Sequence, residues 1–212
     1  MNALLVGATG LVGSHLLTFL LESPEIDNVI APVRRSTGVS SAKLIEVPFD
    51  AEGAADWTPP VPIDHVFIAF GTTKKKAGGI NAQHDIEVRL PRLYAQRAKK
   101  LGARHLSLCS AIGADEESNN AYNAMKGRLE EDIRAMRYPS ITFLRPSVLG
   151  GHRTGDDRPA EAWAQRAMSW LPKSLKTIPA KHVARAMLIK ALEEKKGVEI
   201  ISSRKIWKIA EH

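Results

Sequence analysis

The chain has one cysteine, Cys109, in 212 residues. An intrachain disulfide is therefore excluded, and with it the stapled secreted scaffolds; a reducing compartment fits. No apolar run approaches the roughly 18 residues of a membrane span. The first apolar strand begins within three residues of Met1, so no secretory leader is expected ahead of it, and a cytoplasmic location is the expectation. The seven histidines show no metal-ligand spacing and there is no Cys/His cluster, so no metal is expected; His15 and His65 read as structural. Acidic residues are outnumbered 23 to 30, giving a net charge of +7. The basic residues are spread along the chain, and the densest run is only Lys74-Lys75-Lys76. That pattern suits a solvated loop and an anionic small ligand better than a nucleic-acid surface, and no nucleic-acid partner is expected. Internal repeats and low-complexity segments are absent from the sequence.

What is present is an ordinary globular composition, 44% hydrophobic and 25% charged. The length suggests one domain over residues 1–212, with a small substrate-covering portion at about 146–190. Strand and helix patterns alternate from end to end. Strands are expected at Ala3–Val6, Asn28–Val33, Lys43–Val47, His65–Phe70, His105–Cys109, Ile141–Leu144 and Val198–Ser202. Helices are expected at Leu11–Leu21, Ile80–Leu101, Ala121–Met136, Ala160–Trp170 and Lys181–Glu194. Pro32 cannot donate to a central ladder and should lie near its strand's end. The alternation predicts an α/β fold: a Rossmann-type doubly wound parallel sheet with helices on both faces. Ligands in that architecture bind beyond the C-terminal strand ends, where strand order reverses. The loops after the strands are therefore the places to look.

After the first strand comes Gly7-Ala8-Thr9-Gly10-Leu11-Val12-Gly13. Glycines permit a tight turn and a close backbone approach to an anion. The helix that follows offers unpaired N–H groups and a partial positive charge to a pyrophosphate. An ordinary strand-to-helix turn is the plainer alternative. After the second strand comes Arg34-Arg35, where a site for NAD would carry an acid for the ribose hydroxyls. A guanidinium suits a 2′-phosphate, so NADP(H) is expected over NAD(H), the alternative being two solvated surface arginines. Phe49-Asp50 is placed to contact the adenine, with a plain loop as the equal alternative, and Phe70-Gly71-Thr72-Thr73 to let the backbone pass close to ribose and phosphate.

The fifth strand leads into Ser110; Tyr122 follows twelve residues later and Lys126 four after that. A Tyr-x-x-x-Lys pair on a helix shares one face. A free phenol has a pKa near 10, and a neighbouring ammonium lowers it toward a useful proton shuttle. The lysine can also hold a nicotinamide ribose, and the serine hydroxyl can orient a substrate carbonyl. An exposed Tyr–Lys pair without a catalytic role is the alternative. After the sixth strand, the backbone of Pro146, Ser147 and Val148 is placed to meet the nicotinamide carboxamide. Arg153, Arg158 and Glu161 fall in a polar loop expected to cover the pocket, and Cys109 reads as core packing.

The glycine turn, the serine strand end and Tyr-x-x-x-Lys together resemble the short-chain dehydrogenase/reductase superfamily. More narrowly, the chain is similar to the atypical NADP-binding branch that includes the Tat-interacting oxidoreductase-like proteins. The resemblance runs through Gly71-Thr72-Thr73, Lys76-Ala77-Gly78, Gly113-Ala114-Asp115, Lys126-Gly127, Arg145-Pro146, Arg158-Pro159-x-Glu161 and Val183-x-Arg185-Ala186-Met187. It covers nearly the whole chain. It implies NADPH in the cleft, with Ser110, Tyr122 and Lys126 as the catalytic set; the activity expected on that basis is an NADP(H)-dependent oxidoreductase, with a small carbonyl or alcohol as the expected substrate class. An NADPH-binding regulatory or redox-sensing protein and an epimerase using the cofactor transiently remain as alternatives. The resemblance names no substrate, and a homodimer is left open. The N-terminal extension of larger relatives is not seen, so no partner or membrane contact made by that extension is expected.

Overall fold

Four consecutive apolar residues, Ala3 to Val6, close β1 (Asn2–Val6), and all four are fully buried. Such a run is what a strand covered on both faces requires. Successive side chains point to opposite faces, and the core divides accordingly. Leu4 and Val6 join one apolar cluster, Ala3 and Leu5 the other. The computed structural model describes residues 1–49, 53–71, 78–150 and 177–211.

The other strands of the main sheet are β2 (Asn28–Val33), β3 (Leu44–Pro48), β4 (His65–Ile68), β5 (His105–Cys109), β6 (Ser140–Arg145) and β9 (Gly197–Ser202). Every pairing is parallel, in the order β3-β2-β1-β4-β5-β6-β9. A separate two-stranded piece, β7 (Leu149–Gly150) with β8 (Ile178–Pro179), was not foreseen. Pro32 sits at the penultimate position of β2. It is tolerated there because the pairing of β2 with β1 has already ended at Ile30.

The helices are α1 (Leu11–Glu22), α2 (Ile80–His84), α3 (Leu90–Lys100), α4 (Ala121–Ala135), α5 (Ala180–Glu193) and α6 (Ser203–Glu211). The long helix expected over 80–101 is present but not regular. Its middle, Asp85–Arg89, is π-helical, joining α2 to α3. Such bulges re-aim side chains and frequently mark functional sites. α1, α5 and α6 contribute to the cluster that contains Leu5, and α3 and α4 to the one that contains Leu4. α6, with Ile206 and Ala210 buried, lies beyond the last element expected from the sequence. Residues 180–190, expected over the substrate, form α5 and pack in the helical layer through Val183, Ala184 and Met187. The expected helix at 160–170 lies outside the described residues.

Strand order reverses between β1 and β4, whose connections leave to opposite sides. Their C-terminal ends therefore open a crevice, the general ligand position of this architecture.

Candidate functional site

The glycine turn fills the floor of that crevice. Gly7 has φ +99°, and a Cβ there would lie 2.9 Å from the Ala69 backbone after β4. Gly13 is needed for packing: a Cβ would stand 1.9 Å from the Gly7 carbonyl oxygen. Gly10 is the N-cap of α1, with no side-chain cap and no acid in the first turn. The first-turn N–H groups and the positive end of the helix dipole are thus left for an anion. The side chains of Leu11 and Val12 turn into the core, so only their backbone is available to a ligand.

A cavity of about 540 Å³ opens above this turn, lined by Gly7, Thr9 and Gly10, by Arg34 and Arg35, and by Phe49, Phe70 and Gly71. Eight residues singled out from sequence are therefore brought to one pocket. Ala69, Pro32, Val33, Ile86 and Leu90 complete its wall, and the last four were missed. Ile86 and Leu90 come from the π segment and α3, far along the chain, and only the fold brings them in. Phe49 and Phe70 meet edge to face with ring centroids 6.0 Å apart. The glycine turn, the rings of Phe49 and Phe70 and two exposed guanidinium groups together surround a space that suits a dinucleotide. Asp50, Thr72, Thr73, Arg153, Arg158 and Glu161 lie outside the described residues.

The second part of the site stands on α4. Asn120 caps this helix, its side chain accepting from the backbone N–H groups of Tyr122 and Asn123. Gly127 lets the loop before the helix sit directly on it, since a Cβ there would lie 2.2 Å from the Asp115 and Glu116 backbone. Tyr122, Lys126 and Glu130 follow one another at single-turn spacing on one face. Tyr122 is 37% exposed, whereas Lys126 and Glu130 are buried.

Lys126 Nζ is 2.7 Å from Glu87 Oε2, in an ion pair that is almost wholly buried. It also donates to the carbonyl oxygens of Cys109, at 3.3 Å, and Phe70, at 3.4 Å. Burial opposes the charge on Lys126, but Glu87 more than offsets this and its pKa rises. Tyr122 behaves differently from expectation. Its ring lies within cation–π distance of Lys126, 5.9 Å from the centroid to Nζ. Its pKa is nevertheless raised: burial outweighs the ammonium, and Glu87 and Cys109 add to the rise. The sequence shows the lysine but not the acid that opposes it.

Ser110, buried, donates its hydroxyl hydrogen to Glu130 Oε1 at 2.5 Å. Arg145 grips the same carboxylate through Nε at 3.0 Å and Nη2 at 2.6 Å. The serine is thus beside the Tyr–Lys face, with its proton committed to Glu130. Glu130 had a sequence signal, the i+4 spacing from Lys126; Glu87 had none. Pro146, Ser147 and Val148 do not line the described cavity. The Pro146 carbonyl accepts from Ile112 N–H, Ser147 pairs with Ser203, and Val148 is exposed. Cys109 is buried and its thiol is pushed up to about 11, an inert core residue. No metal-binding cluster occurs among the described residues.

Residues 7–195 match the model of the NAD(P)H-binding family. The chain belongs to this family. Its curated relatives include fungal Fmp52 proteins. The Aspergillus fumigatus protein is 40% identical over 168 residues, 76% of this chain and 71% of its own length. The Meyerozyma guilliermondii protein is 34% identical over 221 residues, covering 99% and 95%. Among solved structures, a short-chain dehydrogenase family protein from Francisella tularensis superposes with a TM-score of 0.74 at 14% identity, covering 96% of this chain and 98% of that one. A short-chain dehydrogenase from Burkholderia cenocepacia in complex with NADP gives 0.71 at 16% identity, covering 99% and 91%. The UDP-glucose 4-epimerase of Thermotoga maritima also gives 0.71, at 17% identity over 100% and 82%. At these identities the structural likeness establishes the short-chain dehydrogenase/reductase fold, and the family match establishes NAD(P)H binding.

The cytoplasmic expectation is corrected by the same relatives, which are named as mitochondrial. A lone cysteine separates reducing from oxidising surroundings; it does not separate one reducing compartment from another. No helix among the described residues is long and apolar enough to cross a membrane.

Proposed function

We propose that this protein is an NADP(H)-dependent oxidoreductase acting on a small carbonyl or alcohol, with Tyr122 as the proton donor and acceptor. One observation carries the reading. Lys126 bonds to the carbonyl of Phe70, which lines the dinucleotide cavity, while standing one turn from Tyr122. The nucleotide pocket and the phenol are thereby joined through a single ammonium.

The cavity fits the cofactor on its own geometry. Gly71 has open space where a Cβ would stand, and Gly7 and Gly10 bring bare backbone to the pocket. The N-terminus of α1 would hold the diphosphate, and Arg34 and Arg35 the 2′-phosphate that distinguishes NADP(H) from NAD(H). The nicotinamide, when bound, supplies or accepts the hydride. Tyr122 passes its phenolic proton to the substrate oxygen in reduction and takes it back in oxidation. Lys126 holds the adjoining backbone of Phe70 and Cys109 in place. Replacement Tyr122→Phe tests the reading: turnover of a carbonyl panel should fall at least about a hundredfold, with NADPH affinity little changed. Unaltered turnover would overturn the assignment.

One observation favours a second reading, an NADPH-binding regulatory protein of little turnover. The Ser110 proton is given to Glu130 and not to the cleft. Tight NADPH binding without oxidation across the panel would support that reading. The relatives' names support a mitochondrial setting for either.

A further inference from the structure

Buried charge at this site is paired where a catalytic Tyr–Lys couple would be served by an unpaired ammonium. Lys126 and Glu87 are both removed from water and sit 2.7 Å apart. Glu87 belongs to the π-helical turn Asp85–Arg89. The neighbouring residue Ile86 and the following Leu90 line the nucleotide cavity. The π turn thus supplies pocket wall and carboxylate from adjacent residues. An ammonium alone stabilises a nearby phenolate; an ammonium and carboxylate in contact form a dipole whose field falls off much faster.

We infer that Glu87 is a positioning residue that offsets the field of Lys126 at Tyr122 and so holds the phenol protonated, ready to donate in carbonyl reduction. The inference rests on the reading of Tyr122 as the proton donor. The charged and titratable groups acting on Tyr122 among the described residues are Lys126 on its own helix, Glu87 from the π turn and Cys109 from β5. Cys109, with its raised pKa, is neutral at physiological pH. The balance at the phenol is therefore set by Lys126 against Glu87, over a background of burial that already favours the neutral form. In the reductive step the O–H bond of Tyr122 breaks and its proton joins the substrate oxygen, while the hydride from the reduced nicotinamide joins the carbonyl carbon. The products are the alcohol, the oxidised nucleotide and a phenolate that regains its proton from solvent. A phenol that enters each cycle protonated favours this direction at neutral pH.

The test is the ionisation of Tyr122 itself, read by NMR of protein carrying 13Cζ-labelled tyrosine. The chain has only three tyrosines, and the Tyr122→Phe spectrum assigns the relevant signal. In Glu87→Gln, with Lys126 left unopposed, the midpoint should fall by about one pH unit or more. Glu87→Asp, which retains the charge, should keep it near the wild-type value. The double variant Glu87→Gln with Lys126→Met removes both charges together and leaves no lone buried ion, so it remains usable if the single variant fails to fold. Its midpoint should lie above that of Glu87→Gln and within about one unit of wild type, because two opposed fields have been deleted together. A rise of one unit or more in the double variant, or an unmoved midpoint in folded Glu87→Gln, overturns the inference. These readings need no turnover. Failure of the oxidoreductase reading would appear separately, as activity surviving in Tyr122→Phe.

Discussion

Ser110 and Glu130 share a hydrogen bond of 2.5 Å in the core beside the proposed proton-transfer face, and Arg145 clamps the acceptor. The pair ties the end of β5 to the middle of α4, and Arg145 ties both to the end of β6. Glu130→Ala would leave Ser110 and Arg145 without their shared acceptor. Arg145 is about a quarter exposed and can partly rehydrate, so the expected loss is about 2–3 kcal/mol, below the 3–5 typical of a fully buried broken pair. Urea unfolding measures it; a loss under about 0.5 kcal/mol would show that the triad holds nothing together.

The three glycines of the first turn are not equivalent. Gly13→Ala drives a methyl into the Gly7 carbonyl and should cost about 3 kcal/mol, together with nucleotide binding. At Gly10 the same methyl meets that oxygen at 3.1 Å, a contact that slight adjustment relieves. Gly10→Ala should unfold near the wild-type temperature yet bind NADPH at least about tenfold more weakly, roughly 1.4 kcal/mol. Thermal melts paired with fluorescence titrations separate the two effects. Wild-type affinity in Gly10→Ala would remove the cradle assignment.

Arg34 and Arg35 are both exposed and both line the cavity. Replacing the pair by alanine should weaken NADPH binding about 10–100-fold, the worth of a charge-assisted hydrogen bond or two, and leave NADH binding within about threefold. Equal losses for both nucleotides would deny these residues any part in choosing between them.

At the opposite end of the sheet, two buried histidines and the half-buried charges beside them set the acid stability. His65 Nε2 lies 2.5 Å from Glu194 Oε1, and Arg104 bridges Glu194 and Asp64 at 2.7 Å each. Burial lowers the pKa of His65 below its ordinary 6.5 and takes His105 to about 3. Burial alone would raise Glu194 and Asp64, but it is outweighed. The hydrogen bonds and charges of His65 and Arg104 lower Glu194; the Asn2 N–H and Arg104 lower Asp64. All four groups hold protons less firmly folded than unfolded, so stability rises with pH. The histidine contribution is complete above about pH 6.5, the unfolded value, and is lost as pH falls from there toward about 3. Between pH 7 and 4 the loss should be on the order of a few kcal/mol, and His105→Gln should flatten that slope. An unchanged slope in the variant would assign the acid lability elsewhere.

The elements of the fold were largely legible. β2 and β5 fall at the expected bounds, and the other main strands and α1, α4 and α5 within two residues of them. Apolar runs and helical periodicity are local properties that survive without knowledge of partners. The two-stranded β7–β8 piece was not, because two-residue strands have no period to read. The π turn was hidden within an apolar pattern that is equally compatible with an unbroken α-helix. Gly7, Gly10, Arg34, Arg35, Phe49 and Phe70, singled out for their places after strand ends, line one cavity. Glu87 was not singled out, since nothing near it in the chain distinguishes it from a solvated acid.

The sequence by itself determined the parallel sheet, the glycine turn at the head of α1 and the shared helical face of Tyr122 and Lys126. Each of these follows from short-range constraints: alternation, φ > 0, and 3.6 residues per turn. Only the tertiary structure decided what those groups experience. It set Glu87 against Lys126, gave the Ser110 proton to Glu130, and raised Tyr122 where the local spacing argued for lowering it. Burial and charge pairing depend on what distant segments bring to within a few ångströms, and no window of sequence contains that distance.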